Sequence, residues 1–187
     1  MDKNNVLVLH GSFGSPYENW FPWLHGEVAK SGGRCFVPCM PTPVGQTFEN
    51  WAHIIDGYAE AGCLGQDTVI VAHSSACAFA VKYLTNRGLH VQRIVCVAGF
   101  NGFLSGNADF NKINAEFYIT PEVLASANKY SRDIICFYSS TDPYLPLTTL
   151  SAFCSEIGGK AIEVTEGGHF NAAAGYSEFP LLLPHVI

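Results

Sequence analysis

The sequence predicts a three-layer α/β/α sandwich around a mostly parallel sheet of about six strands, with no large lid. Six short apolar runs are spaced along the 187 residues, and amphipathic helical patterns lie between them. Several runs are nearly continuous rather than alternating, as strands buried on both faces require. At roughly 150 residues per domain the length supports one domain, read here as residues 1–187, with no internal repeat or linker.

Taken in order, the first run is Val6 to Leu9. Ser15-Pro16-Tyr17-Glu18 then has the form of a capping box with Pro at N1, yet Pro22 would break a helix running on through it. A short turn is expected there, followed by a helix from about Pro22 to Lys30. Cys35 to Val37 is the second run. Phe48, Trp51, Ile55 and Tyr58 follow at helical spacing behind Thr47, a suitable N-cap. The third run, Thr68 to Ala72, leads into Ala76, Phe79, Ala80, Tyr83 and Leu84, a helical stripe stopped by Gly88. Arg93 to Ala98 is the fourth run. From Gly99 to Arg132 no long period is visible, and Phe100, Phe103, Phe110, Phe117 and Tyr118 alternate with Gly, Asn and Ser. This segment reads as a loop at a strand's carboxyl end, where ligands bind in open α/β sheets. Asp133 to Ser139 is the fifth run. Leu147, Leu150, Cys154 and Ile157 form a last helical stripe closed by Gly158-Gly159, and Lys160 to Val164 is the sixth run. Strands alternating with helices imply right-handed crossovers.

Composition narrows the function. Ten Lys and Arg against sixteen Asp and Glu leave a formal charge of -6, with no basic run to neutralise phosphates, which argues against a nucleic-acid partner. No stretch approaches ~18 consecutive apolar residues, so no membrane span is expected. Met1-Asp2-Lys3-Asn4-Asn5 leads into only four apolar residues before His10, too few for a signal-peptide core. Seven cysteines, an odd number without a CxxC pair, point away from a disulfide scaffold and toward a reducing, cytoplasmic setting. His25, His53, His90 and His185 have no ligand spacing around them, so neither a metal nor another cofactor is expected. The Gly11 to Gly14 spacing is not a phosphate loop.

The chemistry concentrates after the third run. Val69-Ile70-Val71-Ala72 passes directly into His73-Ser74-Ser75-Ala76 and the next helix, the context of a nucleophile elbow, in which a sharp turn lifts a serine hydroxyl off the sheet. The usual glycines two residues either side are Ala72 and Ala76 here. A serine becomes nucleophilic only when a base takes its proton, and an acid and a histidine do follow in the order Ser, Asp, His. Asp142 follows the fifth run in Ser140-Thr141-Asp142-Pro143-Tyr144-Leu145-Pro146, and His169 follows the sixth in Glu166-Gly167-Gly168-His169-Phe170. Separately, Ser74 reads as a helix cap, Asp142 as an Asx turn and His169 as a loop residue; together they read as a catalytic set. An oxyanion hole needs a second backbone donor, and His10-Gly11-Ser12-Phe13-Gly14 after the first run can supply it, so the amides of Ser12 and Ser75 are the expected pair. His73 reads as filler beside the nucleophile, His10 as an ordering residue of the oxyanion loop, and Cys77 as a buried small hydrophobe. Phe13, Trp20, Phe100, Phe103 and Tyr144 are candidates for the substrate pocket.

Cys39-Met40-Pro41-Thr42-Pro43, Ala72-His73-Ser74-Ser75-Ala76, the Asp142 loop and Gly168-His169-Phe170, in that order, resemble the α/β-hydrolase superfamily and within it the small lidless serine hydrolases related to retinoblastoma-binding protein 9. The resemblance implies a Ser74, Asp142, His169 triad acting on small esters or amides. The L-x-C-x-E motif of retinoblastoma binding is absent, since the chain reads Ala61-Gly62-Cys63-Leu64-Gly65 at the nearest place, and that partner is not implied. The rival expectation is a hydrolase-fold binding protein whose alanine elbow leaves turnover negligible.

Overall fold

The computed structural model describes residues 5–187; residues 1–4, where the reading of the N-terminus as unexported begins, lie outside the described residues. Six strands, β1 (Asn5–Leu9), β2 (Arg34–Phe36), β3 (Thr68–His73), β4 (Val91–Val97), β5 (Ser131–Tyr138) and β6 (Lys160–Glu163), form one sheet in the order β2-β1-β3-β4-β5-β6. Every ladder is parallel. The helices are α1 (Phe21–Lys30), α2 (Phe48–Glu60), α3 (Ala76–Arg87), α4 (Ala108–Asn114), α5 (Pro121–Ala125) and α6 (Leu147–Glu156).

The period of two along each strand sorts the core into two layers. Leu7, Leu9, Ile70, Ala72, Ile94, Cys96, Ile134 and Cys136 face one side, where Trp51 and Ile55 of α2 and Phe79 and Leu84 of α3 cover them. Val6, Val8, Val69, Val71, Val95, Val97, Ile135 and Phe137 face the other, beneath Phe21, Leu24 and Val28 of α1 and the C-terminal 3-10 turn (Pro180–His185) that carries Leu182. Each large side chain removed from water contributes about 1.5–3 kcal/mol before its entropy cost. The local signals behave as their chemistry dictates. Thr47 caps α2 by accepting the Asn50 amide, and Gly88 ends α3 in a left-handed conformation, φ 62°.

Ser15 to Glu18 forms turns, as the sequence predicts, and left-handed Asn19 (φ 54°) separates them from α1, which begins at Phe21, one residue before the expected start, with its amide donating to Glu18 O. Two expectations differ from what is observed. The loop expected from Gly99 to Arg132 contains α4, α5 and a 3-10 turn (Ala127–Lys129), each too short to print a helical period. It also gives up its last two residues to β5, since Val91 pairs with Ser131 and draws both strands' starts earlier.

The chain leaves β1 outward to β2 and returns to β3 on β1's other side. Consecutive connections therefore diverge at the carboxyl ends of β1 and β3, the place where parallel sheets open a crevice.

Candidate active site

Ser74 stands at that crevice, in the turn from β3 into α3. Its backbone is left-handed, φ 58°, a conformation that costs a non-glycine residue about 1–3 kcal/mol and persists only where its surroundings enforce it. Here the Ser74 amide donates to Val97 O at 2.8 Å and the Ser74 carbonyl accepts from the Cys77 amide at 3.1 Å. Ala72 and Ala76 are wholly buried and the turn closes with both methyls in place. Gly11 permits the approach of the β1 loop: a Cβ there would lie 2.8 Å from Ser74 Cβ and 3.0 Å from the His73 carbonyl.

The structure brings the three sequence candidates into a line. His169 Nε2 lies 3.1 Å from Ser74 Oγ, and His169 Nδ1 lies 2.7 Å from Asp142 Oδ2. A carboxylate only accepts, so Nδ1 carries the ring proton and Nε2 is left as acceptor for the serine hydroxyl. The Asp142 side chain is fully buried. Its charge is held by three donors, because Oδ1 accepts the amides of Tyr144 at 2.9 Å and Leu145 at 3.0 Å while Oδ2 takes the imidazole. Asp142 is thus an Asx turn on one oxygen and a histidine partner on the other.

Two further groups join the acid and histidine loops, and no motif announced them. Ser139 Oγ accepts the amides of Thr141 and Gly167, and Thr141 Oγ1 accepts the amide of Gly168. The filler reading of His73 understates its place, since its buried ring donates from Nε2 to His169 O at 2.8 Å and packs 4.9 Å from the His169 ring. His10 orders the loop after β1: Nδ1 donates to Gly11 O, and Nε2 accepts the Met40 amide. Burial holds the His10 ring below the usual histidine range. Cys77 is buried against Ala72 O.

Burial also pushes His73 from 6.5 down to about 3, with the neighbouring His169 adding to the shift. An unfolded His73 takes up a proton below pH 6.5, whereas the folded one resists until about pH 3. The unfolded state therefore binds more protons across this window, and stability falls as pH falls, with a slope approaching ~1.4 kcal/mol per pH unit. Urea unfolding from pH 7 to 4 is expected to show a shallower acid decline for His73→Gln than for native protein; equal slopes would remove His73 as the cause.

Around Ser74 lies a cavity of about 660 Å³. Phe13, Phe100 and Tyr144 line it, together with Leu104, Phe110 and Leu145, and Tyr144 stands edge-on to His169 at 5.1 Å. Two pocket candidates lie elsewhere. Trp20 is buried beneath the site, where its Nε1 donates to Phe170 O at 2.9 Å, because an indole needs a partner once desolvated. Phe103 is 72% exposed and rests its ring edge-on to Tyr118 outside the cavity. Of the two amides expected to meet an oxyanion, that of Ser75, at the α3 N-terminus, has no intrahelical acceptor, and that of Ser12 donates to Ser75 Oγ at 3.0 Å. Among the described residues no group of three or more His, Cys, Asp or Glu could hold a metal ion, and no helix is long and apolar enough to cross a membrane.

With this geometry in view, the comparisons agree on kind. The YdeN protein of Bacillus subtilis (strain 168) is 26% identical over 179 residues, covering 95% of this chain and 91% of its own. The serine hydrolase RBBP9 of Rattus norvegicus is 23% identical over 168 residues, covering 88% and 86%. The crystal structure of the B. subtilis ydeN gene product superposes with a TM-score of 0.82 at 23% identity, covering 98% of this chain and 96% of that one, which establishes an α/β-hydrolase fold. A family profile described as serine hydrolase matches residues 6–186, and the chain belongs to that serine hydrolase family.

Proposed function

We propose that this serine hydrolase cleaves small esters or amides through an acyl-enzyme formed on Ser74, with His169 as base and Asp142 as its orienting partner. The observation that carries the reading is the hydrogen-bonded line from Asp142 through His169 to Ser74, at 2.7 and 3.1 Å, beside an open cavity. His169 Nε2 takes the serine proton as Oγ attacks the acyl carbon, and the imidazolium is stabilised by Asp142. The same proton passes to the leaving alcohol or amine as the tetrahedral intermediate collapses. Water then repeats the cycle, freeing the acid and restoring Ser74. Phe100, Leu104, Phe110 and Leu145 supply an apolar wall suited to a short acyl chain. The odd count of seven cysteines supports a reducing, cytoplasmic setting.

One observation favours the rival reading of a weakly catalytic binding protein, namely the engaged Ser12 amide. Covalent labelling separates the two. A fluorophosphonate is expected to add one adduct mass to native protein and none to Ser74→Ala, with His169→Ala labelling at a small fraction of the native rate. A folded native protein that takes no adduct would leave the binding reading in possession.

A further inference from the structure

The loop after β1 is held by a chain of polar side chains, most of them buried. The Ser12 amide donates to Ser75 Oγ at 3.0 Å, and the two hydroxyls are 2.9 Å apart. Ser12 O–H donates to Asn114 Oδ1 at 2.8 Å, so in the hydroxyl pair Ser75 is the donor. Gln46 Nε2 donates to Ser12 Oγ at 2.8 Å and to Asn114 Oδ1 at 2.9 Å, while Gln46 Oε1 accepts from Thr42 O–H. Thr42 Oγ1 in turn accepts the Phe13 amide at 2.7 Å. Asn114 is completely buried and anchors the chain to α4 by donating to Phe110 O. Every member has its partners, an arrangement that fixes one geometry, with Gln46 and Asn114 at its centre and Ser75 at its end.

Both loop amides that could meet an oxyanion, those of Ser12 and Phe13, are thus occupied by side-chain oxygens. The two caps differ. Thr42 is tied onward to Gln46. Ser75 is tied only to Ser12 and sits next to the nucleophile. Resting on the reading of Ser74 as nucleophile, we infer that the Ser75 hydroxyl is a removable cap on the Ser12 amide, and that Gln46 and Asn114 are positioning residues that keep Ser12 in place when the cap turns away. Rotation about a single χ1 gives up two neutral hydrogen bonds, from the Ser12 amide to Ser75 Oγ and from Ser75 O–H to Ser12 Oγ, for one charge-assisted bond from the Ser12 amide to the oxyanion, which is about twice as strong as either. The Ser12 side chain does not follow, because Gln46 and Asn114 still hold it. The second donor is then supplied when charge develops on the substrate and not before.

The test compares native protein with Ser75→Ala, Gln46→Met and Asn114→Leu in fluorophosphonate labelling rate and in kcat and KM for p-nitrophenyl acetate. Ser75→Ala uncaps the amide and is expected to label several-fold faster, within the roughly 10²–10³-fold that one oxyanion donor is worth. Gln46→Met and Asn114→Leu free the loop and are expected to lower kcat by roughly 10-fold or more at nearly native KM, with kcat referred to the folded fraction measured by urea unfolding, because loss of folded protein alone would also lower apparent kcat at unchanged KM. If Asn114→Leu fails to fold, the other two variants decide. Labelling of Ser75→Ala at or below the native rate, or native kcat in Gln46→Met, overturns the inference and leaves Ser74 as the nucleophile. A native protein that takes no adduct overturns both.

Discussion

Ser74→Ala is expected to lower ester turnover by roughly 10⁴- to 10⁶-fold while the protein melts close to the native temperature. The substitution deletes one oxygen and nothing that holds the elbow. Val97 O still receives the residue 74 amide, the Cys77 amide still finds the residue 74 carbonyl, and alanine carries the same φ of 58° at the same cost as serine. What disappears is the atom that the proposed mechanism has His169 activate. The residual rate is that of water attacking a bound ester beside whatever oxyanion donors remain. Parallel measurement of kcat on p-nitrophenyl acetate and of the melting temperature decides the matter: a variant retaining one-tenth of native kcat would show that the ester is cleaved elsewhere on the protein.

Asp142→Asn is expected to cost about 10⁴-fold in kcat at neutral pH, through a tautomer rather than through geometry. The amides of Tyr144 and Leu145 require an acceptor at the Oδ1 position, so an asparagine places its carbonyl there and turns its NH₂ toward His169. The ring nitrogen Nδ1 must then accept, the proton moves to Nε2, and Nε2 faces Ser74 Oγ as a donor unable to take the serine proton. KM for a neutral ester should change little, since no pocket surface is lost. An Asp142→Asn protein with native kcat would show that the carboxylate at 2.7 Å does not set the imidazole.

The six strands could be read from the sequence because burial on both faces demands continuous apolar runs, and residues such as Val69 to Val71 have few other uses. Strand starts were less visible. Arg93 looked like the first residue of its strand, yet β4 begins at Val91 because pairing with Ser131 lies beyond what one segment shows about itself. Helices α4 and α5, of seven and five residues, are shorter than two turns and leave no period to detect. Ser74, Asp142 and His169 stood out because each follows a strand in a recurring order, a relation written along the chain. Gln46 and Asn114 belong to no motif; they meet across 68 residues of sequence, and an isolated glutamine or asparagine carries no sign of its partner. Trp20 misled for the opposite reason, because a large aromatic near the loop after the first strand suits a pocket and a core equally well until its indole nitrogen is seen to need Phe170 O.

The strand order also divides the proposed machinery by its resistance to local opening. Ser74 hangs from β3, flanked by β1 and β4 in the middle of the sheet, whereas His169 follows β6, a four-residue edge strand with β5 as its neighbour and mostly exposed side chains. Amide hydrogens of such an edge exchange through small sub-global openings, well below the free energy of complete unfolding. Each opening would carry the base away from a serine that stays seated. Mild denaturant would then silence the nucleophile while the cavity beside it still holds a ligand, separating loss of reactivity from loss of binding along the denaturant axis.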